Sequence, residues 1–334
     1  MQREHRRNHA TGLQWIKVVI ALIGVVAGVA PARSQDVPGP IRIIVTGPAG
    51  GTPDIIARTT GDRMSAVLGV PVVIENRTGG LGATSIAQQT ASAEPDGRTL
   101  LQVNTSLFSI GPAIYRKAPF DVHTDFVPIS VMATSPNVLV VNANVSATDA
   151  KELVTLLRQN PDKLNFGSGG IGTPMHLYGE VLKNQFSLKF THVPYRGSAP
   201  AIVDLLSGQV HILVDQIPSI LPHIQSGKLR AIAVANPTRI ATLPNVPTFA
   251  EAGIDGTDAI SWFGLVAPRG TPKAVAERLS AAVQTALKDP AVIAKLQALG
   301  ASAEGTSSED MTRHIERQLG AWKPLVAVSG VVID

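Results

Sequence analysis

The sequence predicts an α/β protein of two lobes with a ligand cleft between them and two hinge crossings. Three observations carry that expectation. Short β-branched runs alternate with helical patterns along most of the chain, the pattern of α/β folds with a largely parallel sheet. Two strand-to-helix junctions are rich in glycine: Gly47-Pro48-Ala49-Gly50-Gly51-Thr52-Pro53-Asp54 and Gly167-Ser168-Gly169-Gly170-Ile171-Gly172-Thr173. The C-terminal part supplies one convincing strand and three helices, too little for a domain of its own and suited to completing the first lobe.

In chain order, Ile41–Thr46 is the first strand, and a helix follows over Asp54–Leu68 with Pro53 in its first turn. Strands at Pro71–Glu75 and Arg98–Val103 flank the stretch Thr78–Gly82 and a helix ending near Ala93. Asp121–Val140 carries prolines and reads as irregular, closing on the apolar run Val138–Val141. A second series then begins. Its helices are expected at Ala147–Gln159, Met175–Asn184, Ala199–Leu206 and Ser219–Ser226, and its strands at Leu164–Phe166, Phe190–Val193, Val210–Asp215 and Leu229–Ala235. Asn236–Pro247 reads as a connection. Beyond it come a strand at Ile260–Ala267 and helices at Pro272–Lys288, Pro290–Leu299 and Ser308–Trp322. Crossings near Val138 and Asn236 then give lobe 1 as 37–137 plus 238–334 and lobe 2 as 138–237.

Residues 1–32 read as a secretory leader. Arg3, Arg6, Arg7 and Lys17 precede an apolar run from Val18 to Ala30, and Ala30-Pro31-Ala32 offers small residues for cleavage. The run is short for a membrane span. Four of the 29 basic residues and one of the 25 acidic ones lie in this leader, so the formal charge of +4 shrinks towards neutrality once it is removed. The basic balance therefore does not signal nucleic acid. Aromatic residues at 4% argue against stacking platforms, and the absence of cysteine excludes disulfides, thiolate metal sites and a cysteine nucleophile.

Each glycine-rich junction opens a helix, where free N–H groups and the helix dipole favour an anion. Gly167–Gly172 also satisfies G-x-G-x-x-G, but no acidic residue follows on the next strand to hold a ribose, so a nicotinamide cofactor is rejected and no cofactor is expected. His176, His192, His211 and His223 lack zinc-binding spacing, so no metal is expected either. Ser168 is not in a nucleophile elbow. A hydrolase built on Ser168, His176 and an acid is the least favoured reading, and no enzyme is expected. Asp204 reads as solvated, whereas Asp215, at a strand end, is a cleft candidate.

These residues resemble the tripartite tricarboxylate transporter receptor family, the Bug or TctC-like periplasmic binding proteins. The resemblance runs through Pro40–Val45, Pro48–Gly51 with Asp54, Val73–Arg77, Gly167–Gly172 with His176-Leu177, Val193–Gly197, Asp204–Gly208, Leu221–Ile224 and Gly227–Arg230. It implies a periplasmic-binding-protein-like fold that grips a small carboxylate through backbone N–H groups of one loop per lobe. Carried over, the ligand-binding residues are Gly47, Ala49, Gly50, Gly51, Thr52 and Asp54 in lobe 1. In lobe 2 they are Ser168, Gly169, Gly170, Thr173, His176, Tyr195, Arg196 and Asp215. Thr46-Gly47 replaces a bulkier pair usual in the family, and Thr78–Gly82 departs from its common glycine-rich form. The resemblance also implies a periplasmic monomer whose partners are a carboxylate and membrane transporter subunits, with a receptor docking a sensor kinase as the alternative.

Overall fold

The computed structural model describes residues 39–78, 83–255 and 260–333. The expected leader and residues 79–82 of the Thr78–Gly82 loop lie outside the described residues. Chain order runs β1 (Ile41–Thr46), α1 (Thr52–Leu68), β2 (Val72–Arg77), α2 (Thr84–Ala91) and β3 (Thr99–Asn104). A π-helical turn, Ser106–Ile110, leads into the short α3 (Gly111–Ile114). Then come β4 (Phe126–Ser135), β5 (Asn137–Asn142), α4 (Ala150–Gln159), β6 (Asn165–Ser168), α5 (Pro174–Phe186) and β7 (Thr191–Pro194). They are followed by α6 (Ser198–Ser207), β8 (Ile212–Gln216), α7 (Ile217–Gln225) and β9 (Leu229–Ala235). The chain closes with β10 (Ser261–Pro268), α8 (Lys273–Leu287), α9 (Pro290–Ala298), β11 (Ser302–Ala303) and α10 (Ser308–Ser329).

The strands form two sheets, one per lobe. The first has the order β11-β4-β10-β3-β1-β2 and the second β7-β6-β8-β5-β9. Both are mixed, which corrects the expectation of a largely parallel sheet. β1 runs parallel to β2 and β3, and β6 parallel to β7 and β8, as βα alternation requires. The remaining pairings, β10 with β3 and β4, β11 with β4, and β5 with β8 and β9, are antiparallel. The reason is the crossing itself. β4 and β5 are separated only by Pro136, so the chain leaves one sheet and enters the other without a helix between.

The segment expected to be irregular contains β4, ten residues long. Pro128 gives a local signal against a strand because proline interrupts a ladder. Here β4 is next to the edge, and β11 covers only its far end, at Ala133 and Thr134. The Pro128 carbonyl points to that uncovered side and accepts from Ser308 Oγ at the start of α10, so the side where an N–H is missing needs no strand partner.

Packing divides the C-terminal part differently from the expected 238–334 block. Phe249 and Ile254 belong to the same buried cluster as Leu139, Phe166 and Tyr178 beneath the second sheet. Phe249 N–H also donates to Val234 O of β9. The chain therefore stays with the second lobe well beyond Asn236. Helix α10 begins against β4 and the π turn, then places Trp322, Leu325 and Val326 in that second-lobe cluster beside Ile110 and Ile114. It outruns the expected end at Trp322 despite Pro324, because this apolar face has a core to enter. Among the described residues no helix is long and apolar enough to cross a membrane.

Candidate functional site

The glycine-rich junctions meet in a cleft between the lobes, made of two connected chambers. The inner one measures 530 Å³ with its open mouth included. Thr46, Gly47, Asn104, Ser106, Gly169, Thr173 and Gly197 line both chambers and form the waist between them. Pro53, Met175, Gln216, Ser261 and Trp262 line the inner chamber alone, and Thr78, Ile171, Tyr195 and Arg196 the outer.

Four helices aim their N-termini at the inner chamber. The N-cap residues Gly51 of α1, Thr173 of α5, Gly197 of α6 and Gln216 of α7 all line it. Among the described residues no charged side chain lines this chamber, and Arg196 is the one cation on the outer wall. The local field therefore comes mainly from helix ends.

Two of the four ends already hold an anion. Asp215, fully buried behind the wall, accepts from Ser198 Oγ at 2.7 Å, Gln216 N–H at 2.8 Å and Ser219 Oγ at 3.2 Å. Burial pushes its carboxyl up to about 6 against these bonds, which favour the ionised form. Asp215 thus serves α6 and α7 and does not itself line the cleft. Asp54, in the first turn of α1, is likewise turned away. It accepts from Gly50 N–H at 3.0 Å and pairs with Arg58 at 2.9 Å. Burial raises this carboxyl, but the bonds from Arg58, Gly50 and Asn76 outweigh it and hold it below the usual range. Helix α5 has no acid in its first turn. Pro174 at its first position lacks an N–H and Thr173 Oγ1 accepts from His176 N–H at 3.3 Å, so Met175 N–H is the remaining donor of that turn.

Of the residues expected at the ligand, Gly47, Gly51, Gly169, Gly170, Thr173, Tyr195 and Arg196 line the cleft. Ala49 and Gly50 are exposed outside it. Thr52 is buried and joins the lobes, its Oγ1 donating to Ser219 Oγ at 3.2 Å. Several loop N–H groups expected to grip the ligand are engaged internally: Gly50 with Asp54, Gly51 with Pro48 O, Gly170 with Ser168 Oγ and Gly172 with His176 Nδ1. Tyr195 donates to Asp204 Oδ2 at 2.6 Å, so Asp204 is a partner and not merely solvated.

Ser168 and His176 turn into the second lobe. Ser168 is fully buried and shares a 2.7 Å hydrogen bond with His192 Nε2, and the His192 ring stacks on His176 at 4.3 Å. Burial, then the neighbouring His176, pushes His192 down to about 3, and burial lowers His176 as well. Both rings are neutral props under the glycine-rich loop. A serine sealed from both chambers offers no nucleophile to a ligand. Among the described residues no group of three or more His, Asp or Glu side chains could hold a metal ion.

Sequence reasoning missed Asn104, Ser106, Met175, Gln216, Ser261 and Trp262. All but Met175 come from strand ends and a π turn with no glycine signature, and only the closing of two sheets brings them together. Met175 follows the second glycine-rich loop in the first turn of α5. For Gln216, its position just after Asp215 at the end of β8 was the available signal.

The profile of the tripartite tricarboxylate transporter family receptors matches residues 56–331. The UPF0065 protein in the tcbD-tcbE intergenic region of Pseudomonas sp. strain P51 is 37% identical over 288 residues, covering 86% of this chain and 85% of the relative. Among solved structures, Rpa4515 of R. palustris with adipate is 34% identical with a TM-score of 0.84, covering 88% of this chain and 99% of that one. MatC (Rpa3494) from Rhodopseudomonas palustris with bound malate is 31% identical with a TM-score of 0.82, covering 86% and 99%. The family whose profile matches is one of receptors, not enzymes. The two-lobed fold, the cleft and the profile match together place the chain in the tripartite tricarboxylate transporter receptor family.

Proposed function

We propose that this protein is an exported receptor that captures a small carboxylate in the interlobe cleft and delivers it to a tripartite tricarboxylate-type transporter. The observation that carries this reading is the convergence of helix N-termini on a chamber walled by uncharged side chains. An anion there takes up the remaining first-turn N–H groups, those of Thr52 and Asp54 in α1 and of Met175 in α5, because Pro53 and Pro174 have none and Thr173 already caps His176 N–H. Each dipole contributes ~0.3–1 kcal/mol, rising to ~2 when partly buried, and each charge-assisted hydrogen bond ~1.5–3 kcal/mol. A few of these reach the roughly −8 kcal/mol of a micromolar complex without any buried cation. The adipate and malate bound by the two related structures support the same class of ligand here. The family and the leader-like sequence support periplasmic residence and release of residues 1–32.

The test is a thermal-shift screen of small carboxylates, with the matching alcohols and methyl esters as controls. A ligand at about 100 times its Kd adds ~2.7 kcal/mol of stability. Shifts confined to the acids support the reading. Equal shifts from esters, or hydrolysis of those esters, overturn it.

A further inference from the structure

Gln216 sits at the end of β8, only 6% exposed, and lines the inner chamber, yet its buried Oε1 has no hydrogen-bond partner. Beside it in the β5–β8 register is Asn137, fully buried, whose Nδ2 is also unpaired and whose Oδ1 accepts from Ser261 Oγ at 3.2 Å. Ser261 lines the same chamber. A buried amide without a partner is costly, and turning the Gln216 amide towards the chamber it lines would let a ligand group satisfy it.

The charge next to this amide sets what that group can be. The Asp215 carboxylate lies directly behind, bonded to the Gln216 N–H and to Ser198 Oγ, and it already occupies the positive ends of α6 and α7. No cation faces the amide among the described residues, and neither 79–82 nor 256–259 contains a lysine or arginine. A carboxylate placed against Gln216 would meet a buried like charge with nothing to offset it. Arg196, across the waist, is exposed to solvent and screened.

We infer that the Gln216–Ser261 wall reads the far end of the ligand and selects acids ending in a neutral hydrogen-bonding group, an amide or a hydroxyl, over dicarboxylates. The acid's single carboxylate sits at the α1 and α5 ends, and its neutral end pairs with the Gln216 amide. This inference rests on the carboxylate reading of the cleft.

Calorimetric titration with three matched series tests it: succinate, glutarate and adipate, their half-amides, and the ω-hydroxy acids of the same lengths. At each length that binds, the half-amide or hydroxy acid is expected to bind about tenfold or more tightly than the diacid, the order of discrimination that unpaired buried polar groups impose. Gln216→Leu and, separately, Ser261→Ala are expected to shrink the ratio of half-amide or hydroxy-acid affinity to diacid affinity, whatever each does to overall affinity. Should Gln216→Leu fail to fold, the Ser261→Ala result decides. Diacids binding as tightly as half-amides, or an unchanged preference in the folded variants, overturns this inference and leaves the carboxylate reading standing. No response to any of these acids at millimolar concentration overturns both.

Discussion

Single residues separate the part of the cleft that touches ligand from the part that shapes it. A Cβ built on Gly47 meets nothing within 4 Å, and its φ is not in the left-handed region. A side chain there costs no backbone strain and projects where the waist narrows. Gly47→Val is therefore expected to weaken ligand binding by about tenfold or more, equal to ~1.4 kcal/mol, while leaving the urea midpoint unchanged. Binding at wild-type strength would place the ligand elsewhere. Gly50 behaves oppositely. It lies outside the cleft at a φ of +81°, so Gly50→Ala is expected to lose stability before affinity.

Two buried groups give opposite pH dependences. His192 titrates at about 3 when folded against 6.5 when unfolded, so the unfolded chain binds more protons between these values. Its contribution is present above pH 6.5 and is lost as pH falls towards 3. Asp215 titrates at about 6 when folded against 3.8 unfolded, so its contribution is present below pH 3.8 and is lost as pH rises through 6. Urea unfolding across this range is expected to show His192→Gln flattening the acid fall and Asp215→Asn removing the loss towards neutral pH. If each variant differs from wild type by a constant amount at every pH, these assignments are wrong.

At the scale of elements, α10 does more than close the first lobe. Ser307 caps its start, accepting from Asp310 N–H, and Trp322 lies fully buried with its ring edge-on to Tyr178 of α5. Removing that indole leaves a cavity where the helix meets the second lobe. Trp322→Ala is expected to cost ~3–5 kcal/mol in denaturant unfolding. A loss below about 1 kcal/mol would mean that the last turns of α10 are not docked in solution. The same contact explains why a helix with an internal proline continues. Pro324 removes one backbone bond, and buried area offsets the loss.

For the whole molecule, the lobes touch through buried contacts beside the cleft. Thr52 Oγ1 bonds Ser219 Oγ, and Pro48 packs so close to Gly197 that a Cβ on the glycine would collide with it. Gly300 lies equally close to Ile217. These contacts are short and few, whereas α10 joins the lobes through a packed core. A ligand held by both α1 and α5 favours the closed form to the extent that it contacts both better when they approach. Solution scattering is expected to show the radius of gyration fall as ligand saturates the protein. An unchanged profile at confirmed saturation would mean that the cleft is preformed and that the Pro136 crossing does not act as a hinge.

The sequence by itself determined the α/β class, the order of most elements, and the two glycine-rich junctions that open α1 and α5, because these are written locally in apolar periodicity and turn chemistry. It also marked Asp215 as a strand-end residue of the cleft region. Only the tertiary structure decided that Asp215 faces α6 and α7 and not a ligand, that Ser168 and His176 are props, and that Gln216 and Ser261 share a wall. Those outcomes depend on which way a side chain turns once two sheets close on each other, and no local pattern encodes that. Pro128 and Pro324 make the same point from the other side. Each carries a strong local signal to stop, and each is overruled, the first by an uncovered strand side and the second by a core waiting beyond it.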